Sequence, residues 1–174
     1  RRLGLEERPT EQAGWEKIVQ TLKAPRHACR VGVVGKYTGN GDSYKSIAES
    51  LIHAGIPNDT AVEIVWIESE SLETGELAPD WMDSLDGLIV GPGFGKRGIE
   101  GKIAAVRRVR ESGLPFLGIC LGMQMAVIEF ARNVCGLEGA NSEEVDERAS
   151  YPVVHLLPEQ KGIHEKGASM RLGS

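Results

Sequence analysis

Apolar positions along this chain recur in two alternating periods. Trp15, Ile18, Val19 and Leu22 stand at i, i+3, i+4 and i+7, one stripe of a short helix that Pro25 stops. Cys29-Arg30-Val31-Gly32-Val33-Val34-Gly35 then reads as a buried strand. Asp42 is placed to cap a helix carrying Tyr44, Ile47, Ala48 and Leu51, closed by Gly55 and Pro57. Ala61 to Ile67 reads as a second strand, and after a polar loop Gly87 to Val90 reads as a third. A glycine-rich turn follows, then a helix bearing Ile103, Val106 and Val109 that Gly113 ends. The strand Pro115 to Ile119 precedes a helix running from Cys120 to about Val134. That helix has Met123, Met125, Ala126, Val127, Ile128 and Phe130 around its circumference and is expected to be buried on most sides. A further strand is expected over Tyr151 to Leu157.

Strands alternating with helices predict an α/β fold: a mostly parallel open sheet with helices on both faces and ligands beyond the carboxyl ends of the strands. Residues 1–28 read as a lead-in with a short helix, and 29–174 as the domain. A chain of 174 residues suits one domain with a short appendage. The net charge of -5 argues against a nucleic-acid partner. No apolar run approaches the ~20 residues that span a bilayer, and the first residues lack the apolar core of a signal peptide. Cys29, Cys120 and Cys135 are odd in number and widely spaced, without metal-ligand spacing, so no metal is expected and a reducing cytoplasm is the expected setting. The chain opens on Arg1 and not on Met, which suggests a piece of a longer polypeptide.

The chemistry concentrates at Gly118-Ile119-Cys120-Leu121-Gly122, where a strand pattern ends and a helix pattern begins at once. That is the layout of a nucleophile elbow with cysteine in the nucleophile's place. The glycines permit a sharp turn, and a sulfur at a helix amino end meets N–H groups and a dipole that favour the thiolate. The competing reading is a buried cysteine between two packing glycines. Gly93-Phe94-Gly95-Lys96-Arg97-Gly98 matches a dinucleotide fingerprint but follows the third strand instead of the first, and no ribose-binding acid ends the next strand. Its N–H groups could equally serve an oxyanion. Lys96, Arg97, Lys102, Arg107, Arg108 and Arg110 read as a solvated helix face, and Glu129 as a structural partner for Arg132 or a neighbouring helix. A thiol nucleophile needs a base, yet none of His27, His53, His155 and His164 has a local context that recommends it.

Phe116 to Gln124 resembles the nucleophile segment of class I glutamine amidotransferases and, more narrowly, of the glutaminase half of the CTP synthase family. Val34-Gly35-Lys36-Tyr37, Gly93 to Lys102, Glu129 to Val134, Ala140-Asn141-Ser142 and Met170-Arg171-Leu172-Gly173 extend the likeness over residues 15 to 173. The resemblance implies Cys120 as the nucleophile that forms a glutamyl thioester, with the Gly93 and Leu121 amides as its oxyanion hole. It implies that Gly93, Leu121, Gly122, Met123, Gln124 and Glu144 hold L-glutamine, with the Glu144 carboxylate suited to the substrate's α-ammonium. Phe94 and Arg97 match a segment linked to GTP, which serves the family as an allosteric activator. No cofactor is implied for this domain. An upstream amidoligase domain of the same polypeptide would use ATP and Mg2+ to aminate UTP with the released ammonia, residues 1–28 would be the interdomain linker, and the whole enzyme would be a homo-oligomer. Two departures stand out. The family's Pro-Gly-Gly-Phe-Gly is here Gly91-Pro92-Gly93-Phe94-Gly95, which removes an N–H just before the proposed donor and leaves its aim open. The family's triad His and Glu are expected downstream of Gly173, past Ser174, so that the end of the domain is expected to be missing and the fragment alone to be a poor glutaminase. The alternative function is an amidotransferase-like binding or regulatory module without turnover.

Overall fold

The computed structural model describes residues 12–39 and 41–155. Four strands, β1 (His27–Gly35), β2 (Thr60–Glu68), β3 (Gly87–Val90) and β4 (Phe116–Gly118), form an all-parallel sheet in the order β2-β1-β3-β4. Helix α1 (Ala13–Lys23) precedes the sheet, α2 (Lys45–Asn58) links β1 to β2, α3 (Ser69–Thr74) follows β2, α4 (Ile99–Ser112) links β3 to β4, and α5 (Leu121–Asn133) leaves β4. A short parallel pair, β5 (Ala140–Ser142) and β6 (Tyr151–Val154), packs against α5.

The strand order follows from handedness. The chain steps outward from β1 to β2, then returns past β1 to β3 and β4, and right-handed crossovers put helices of opposite travel on opposite faces. Accordingly α2 packs on β2 and α1, while α4 packs on α3 and α5. Val34, Ile67, Leu88 and Val90 from the sheet meet Ile103, Val106, Val109, Met125 and Ile128 from α4 and α5 in one core. β3 is buried along its whole length, as a central parallel strand without polar alternation should be.

Several expectations change. β1 begins at His27, two residues before Cys29. Asp42 lies in a 3-10 turn, Gly41–Tyr44, and α2 starts after it at Lys45 with no side-chain cap. The helix runs through Gly55 and Pro57 to Asn58, where Asp59, in the left-handed region (φ 51°), donates its N–H back to the Gly55 and Ile56 carbonyls and ends it. Residues 69–74 form α3 instead of loop. The largest correction concerns α5. Only its Leu121, Gly122, Met125, Ile128, Glu129, Ala131 side is buried, while Met123, Val127, Phe130 and Val134 are exposed at i, i+4, i+7 and i+11. β4 is the sheet's edge among the described residues, so α5 has structure beneath one side only. The strand expected over Tyr151 to Leu157 is present as β6, and its last residues lie outside those described.

Gly101 shows how tightly α3 is seated on α4: a Cβ there would stand 1.8 Å from the Ser69 carbonyl oxygen. Gly101→Ala should therefore cost about 2–3 kcal/mol in urea unfolding. Gly14→Ala, with nothing within 4 Å of the added carbon, should leave stability unchanged or slightly raised.

Candidate active site

The elbow forms as its sequence suggests. Cys120 takes φ 53° and ψ −111°, a region side-chain-bearing residues rarely occupy, and stands exposed between β4 and α5. Both flanking glycines are required. A Cβ on Gly122 would lie 1.9 Å from the Val90 carbonyl oxygen, and one on Gly118 would lie 2.7 Å from the Met123 amide. The Gly122, Met123 and Gln124 amides turn back to Ile119 and Cys120 carbonyls. Among the described residues the Leu121 N–H has no such partner, and neither has that of Gly93. The register Val90↔Gly118 brings the chain past β3 and the chain past β4 to the same edge, so the Gly91–Gly93 turn and the elbow are neighbours. Leu121 confirms the approach, since its Cδ2 lies 3.5 Å from where a Gly93 Cβ would be.

Two buried lysines hold the Gly91–Gly95 loop from beneath. Lys102 donates to the carbonyls of Gly91 (2.7 Å) and Pro92 (3.1 Å). Lys36, at the end of β1, donates to Phe94 (2.8 Å) and reaches Gly95 (3.5 Å). The crevice between β1 and β3, where the strand order reverses and doubly wound sheets usually bind ligands, is filled. Tyr44 closes it: its hydroxyl donates to the Lys36 carbonyl (2.9 Å) and accepts from the Lys36 amide (2.8 Å). The exposed Cys120 thiol lies one strand over, at the edge shared by β3 and β4.

Lys102 overturns the reading of a solvated basic face. Arg107, Arg108 and Arg110 are exposed on α4, but Lys102 has no exposed surface at all. No sequence signal separated it from its neighbours beyond its phase, one residue before Ile103. Burial lowers its pKa to about 8; Lys36 adds to the fall, and Cys120 and Glu68 oppose it. Lys36 is likewise lowered, chiefly by burial and then by Arg97. Tyr44 is raised by burial, and Cys29 by burial and the nearby Asp86.

Phe94 and Arg97 lie on the exposed side of the same loop. Arg97 stacks 4.6 Å over the Tyr37 ring and pairs with Glu70. Glu144 stands in the turn after β5, half-buried, its amide bonded to Ser142 Oγ (3.2 Å), with no bond to the elbow among the described residues. Glu129 is structural: Arg110 of α4 grips it through Nε and Nη2, and Arg132 turns instead to Glu100. His27 opens β1, His53 lies in α2, and His155 Nδ1 stands 3.6 Å from Glu143. His164 and Met170 to Gly173 lie outside the described residues. No group of metal-binding side chains occurs among the described residues, and none of their helices is long and apolar enough to cross a membrane.

Comparison with known proteins agrees with this geometry. The family model described as "Glutamine amidotransferase class-I" matches residues 41–174. A CTP synthase of Methanocaldococcus jannaschii is 54% identical over 180 residues, covering 100% of this chain and 33% of that protein. One of Syntrophus aciditrophicus is 53% identical over 160 residues, covering 92% and 30%. The chain thus spans about a third of the length of the curated relatives it matches. Among solved structures, "Trypanosoma brucei CTPS - glutaminase domain with bound acivicin" superimposes with a TM-score of 0.67 at 32% identity, over 82% of this chain and 60% of that one.

The buried lysine has a thermodynamic signature. Its pKa of about 8 in the folded state lies below the ordinary 10.5, so between those values the unfolded chain binds more protons and stability rises with pH. The stability of the wild type relative to Lys102→Met should therefore increase from pH 8 to pH 10 in matched denaturant titrations. A pH-independent difference would mean that the lysine titrates normally.

Proposed function

The chain belongs to the class I glutamine amidotransferase family, and from that premise we propose that it is the glutaminase module of a CTP-forming enzyme. In this reading it hydrolyses L-glutamine at Cys120 and passes ammonia to an amidoligase domain of the same polypeptide, which aminates UTP with ATP and Mg2+. The observation that carries the reading is the strained Cys120 backbone flanked by the two unspent amides of Gly93 and Leu121.

The Cys120 sulfur attacks the δ-carbon of glutamine, and the carbonyl π electrons move onto oxygen. The Gly93 and Leu121 N–H groups stabilise that oxyanion, each donor being worth about 3 kcal/mol in such sites. Collapse of the tetrahedral intermediate expels ammonia, which carries away the thiol's proton and leaves a γ-glutamyl thioester. Water then adds to the thioester, releasing glutamate and restoring the thiol. The proton carrier is the histidine that the family places downstream of Met-Arg-Leu-Gly. Leu121 to Gln124 line the substrate, and Glu144 supplies a carboxylate for its α-ammonium. Phe94 and Arg97 form the segment through which GTP would act, residues 1–28 join the two domains, and the amidoligase domain carries the homo-oligomer.

Tests in the full-length protein separate this from a non-catalytic module. Cys120→Ala should abolish CTP formation from UTP and glutamine and leave formation from UTP and ammonium intact. A wild type that binds glutamine without releasing ammonia would instead be a binding or regulatory module. A glutamine-mimicking alkylator should label Cys120 ahead of Cys29 and Cys135, and equal labelling would count against an activated elbow.

A further inference from the structure

Lys102 has the greatest volume of the side chains buried beyond the reach of solvent among the described residues. A lone buried cation is costly. Its charge meets no carboxylate at ion-pair distance among the described residues, only the carbonyls of Gly91 and Pro92. A methionine would fill the same space beside Leu121 without that cost, so packing does not account for a lysine here. What the lysine does uniquely is hold two consecutive carbonyls.

The consequence follows from the planarity of the peptide unit. In a trans peptide the C=O and the following N–H point in opposite directions. With the Pro92 carbonyl bound to Lys102 beneath the loop, the Gly93 N–H faces the other way, and Lys36 imposes the same sense on the Phe94–Gly95 peptide. Pro92 now has a place in the design. Lys102 holds the Gly91 carbonyl as well, so an N–H at residue 92 would face the same way as that of Gly93, and proline leaves the Gly93 amide without a competing donor from its neighbour. The ring also restricts φ at the residue just before Gly93.

We propose that Lys102 is a positioning residue for the oxyanion hole: its buried ammonium keeps the Gly91 and Pro92 carbonyls turned away from Cys120, so that the Gly93 N–H stays directed at the developing oxyanion. The proposal rests on the glutaminase reading above. The charged and titratable groups that act on Lys102 are Lys36, Cys120 and Glu68. Its depressed pKa leaves it predominantly protonated at neutral pH.

The test compares wild type with Lys102→Met in the full-length enzyme. Glutamine hydrolysis should lose roughly 10- to 100-fold in kcat, the range expected when a donor is misdirected rather than deleted, with KM within about twofold. Glutamate γ-semialdehyde, whose adduct with Cys120 needs the oxyanion hole, should bind more weakly by the same factor. Iodoacetamide, which needs no oxyanion hole, should alkylate Cys120 within about threefold of the wild-type rate, the loss of a neighbouring cation being its only effect there. Unchanged kcat overturns the proposal, as does a loss of kcat matched by an equal loss of alkylation. If Lys102→Met does not fold, Lys102→Arg, which keeps the cation, should retain aldehyde affinity within about threefold; greater weakening, or failure of both variants to fold, makes Lys102 a core residue and ends the proposal. A wild type that hydrolyses glutamine beside an unimpaired Lys102→Met sinks this inference alone, whereas an inactive wild type sinks the functional reading first.

Discussion

The structure turns on one close approach, the first turn of α5 against the end of β3. Gly122 lies where any side chain would strike the Val90 carbonyl, and Gly118 lies where any side chain would strike the helix backbone. That contact allows no relaxed conformation for the residue between them. Cys120 is driven to positive φ and out toward solvent because β3 and α5 are fixed by the core around Val90, Leu121, Met125 and Ile128, and β4 by its register on β3. Backbone strain of this kind costs about 1–3 kcal/mol and persists only where the surroundings over-determine it. Here the sheet and helix supply that determination, and the exposed sulfur and the open Leu121 amide are its products.

Charge, not apolar packing, organises the other half of the site. Lys36 and Lys102 come from different elements, the end of β1 and α4, yet bind successive stretches of one loop. Tyr44 occupies the crevice that the strand order would otherwise leave for a ligand, its ring against Gly35 and Gly91 and its hydroxyl both donating to and accepting from the Lys36 backbone. The exposed Cys120 thiol sits instead beside β4. A loop built of Gly91, Pro92, Gly93 and Gly95 has few side chains with which to fix itself, so external donors to its carbonyls take over that task.

Much of this was legible in the order of residues. Strand and helix periods located all four strands of the larger sheet and three of the helices that pack on them, because each period reflects burial of one face or of both. The elbow was legible because Gly-x-Cys-x-Gly between an apolar strand and an apolar helix leaves few geometries open. Residues 69–74 are not legible as a helix because α3 is too short to show a period, and Gly55 and Pro57 read as a stop although the helix continues to Asn58. α5 read as buried all round because hydrophobicity alone cannot report which neighbours are present; the sheet ends at β4 among the described residues, and Met123, Val127 and Phe130 stay open.

Lys102 marks the boundary between the two kinds of information. Local order located the cysteine elbow, the turn that exposes its thiol and the glycines that permit the turn, since those depend on dihedral angles and on residues within a few positions of one another. It assigned Lys102 to a solvated face along with Arg107 and Arg108, since the order of residues reads the same whether a lysine's ammonium ends in water or in a core. Only the packing of α4 beneath the β3 loop brought that ammonium to the carbonyls of Gly91 and Pro92, ten or more residues away in the chain. Burial and partners are properties of the assembled molecule, and they gave this lysine a depressed pKa and a task that its neighbours in sequence could not announce.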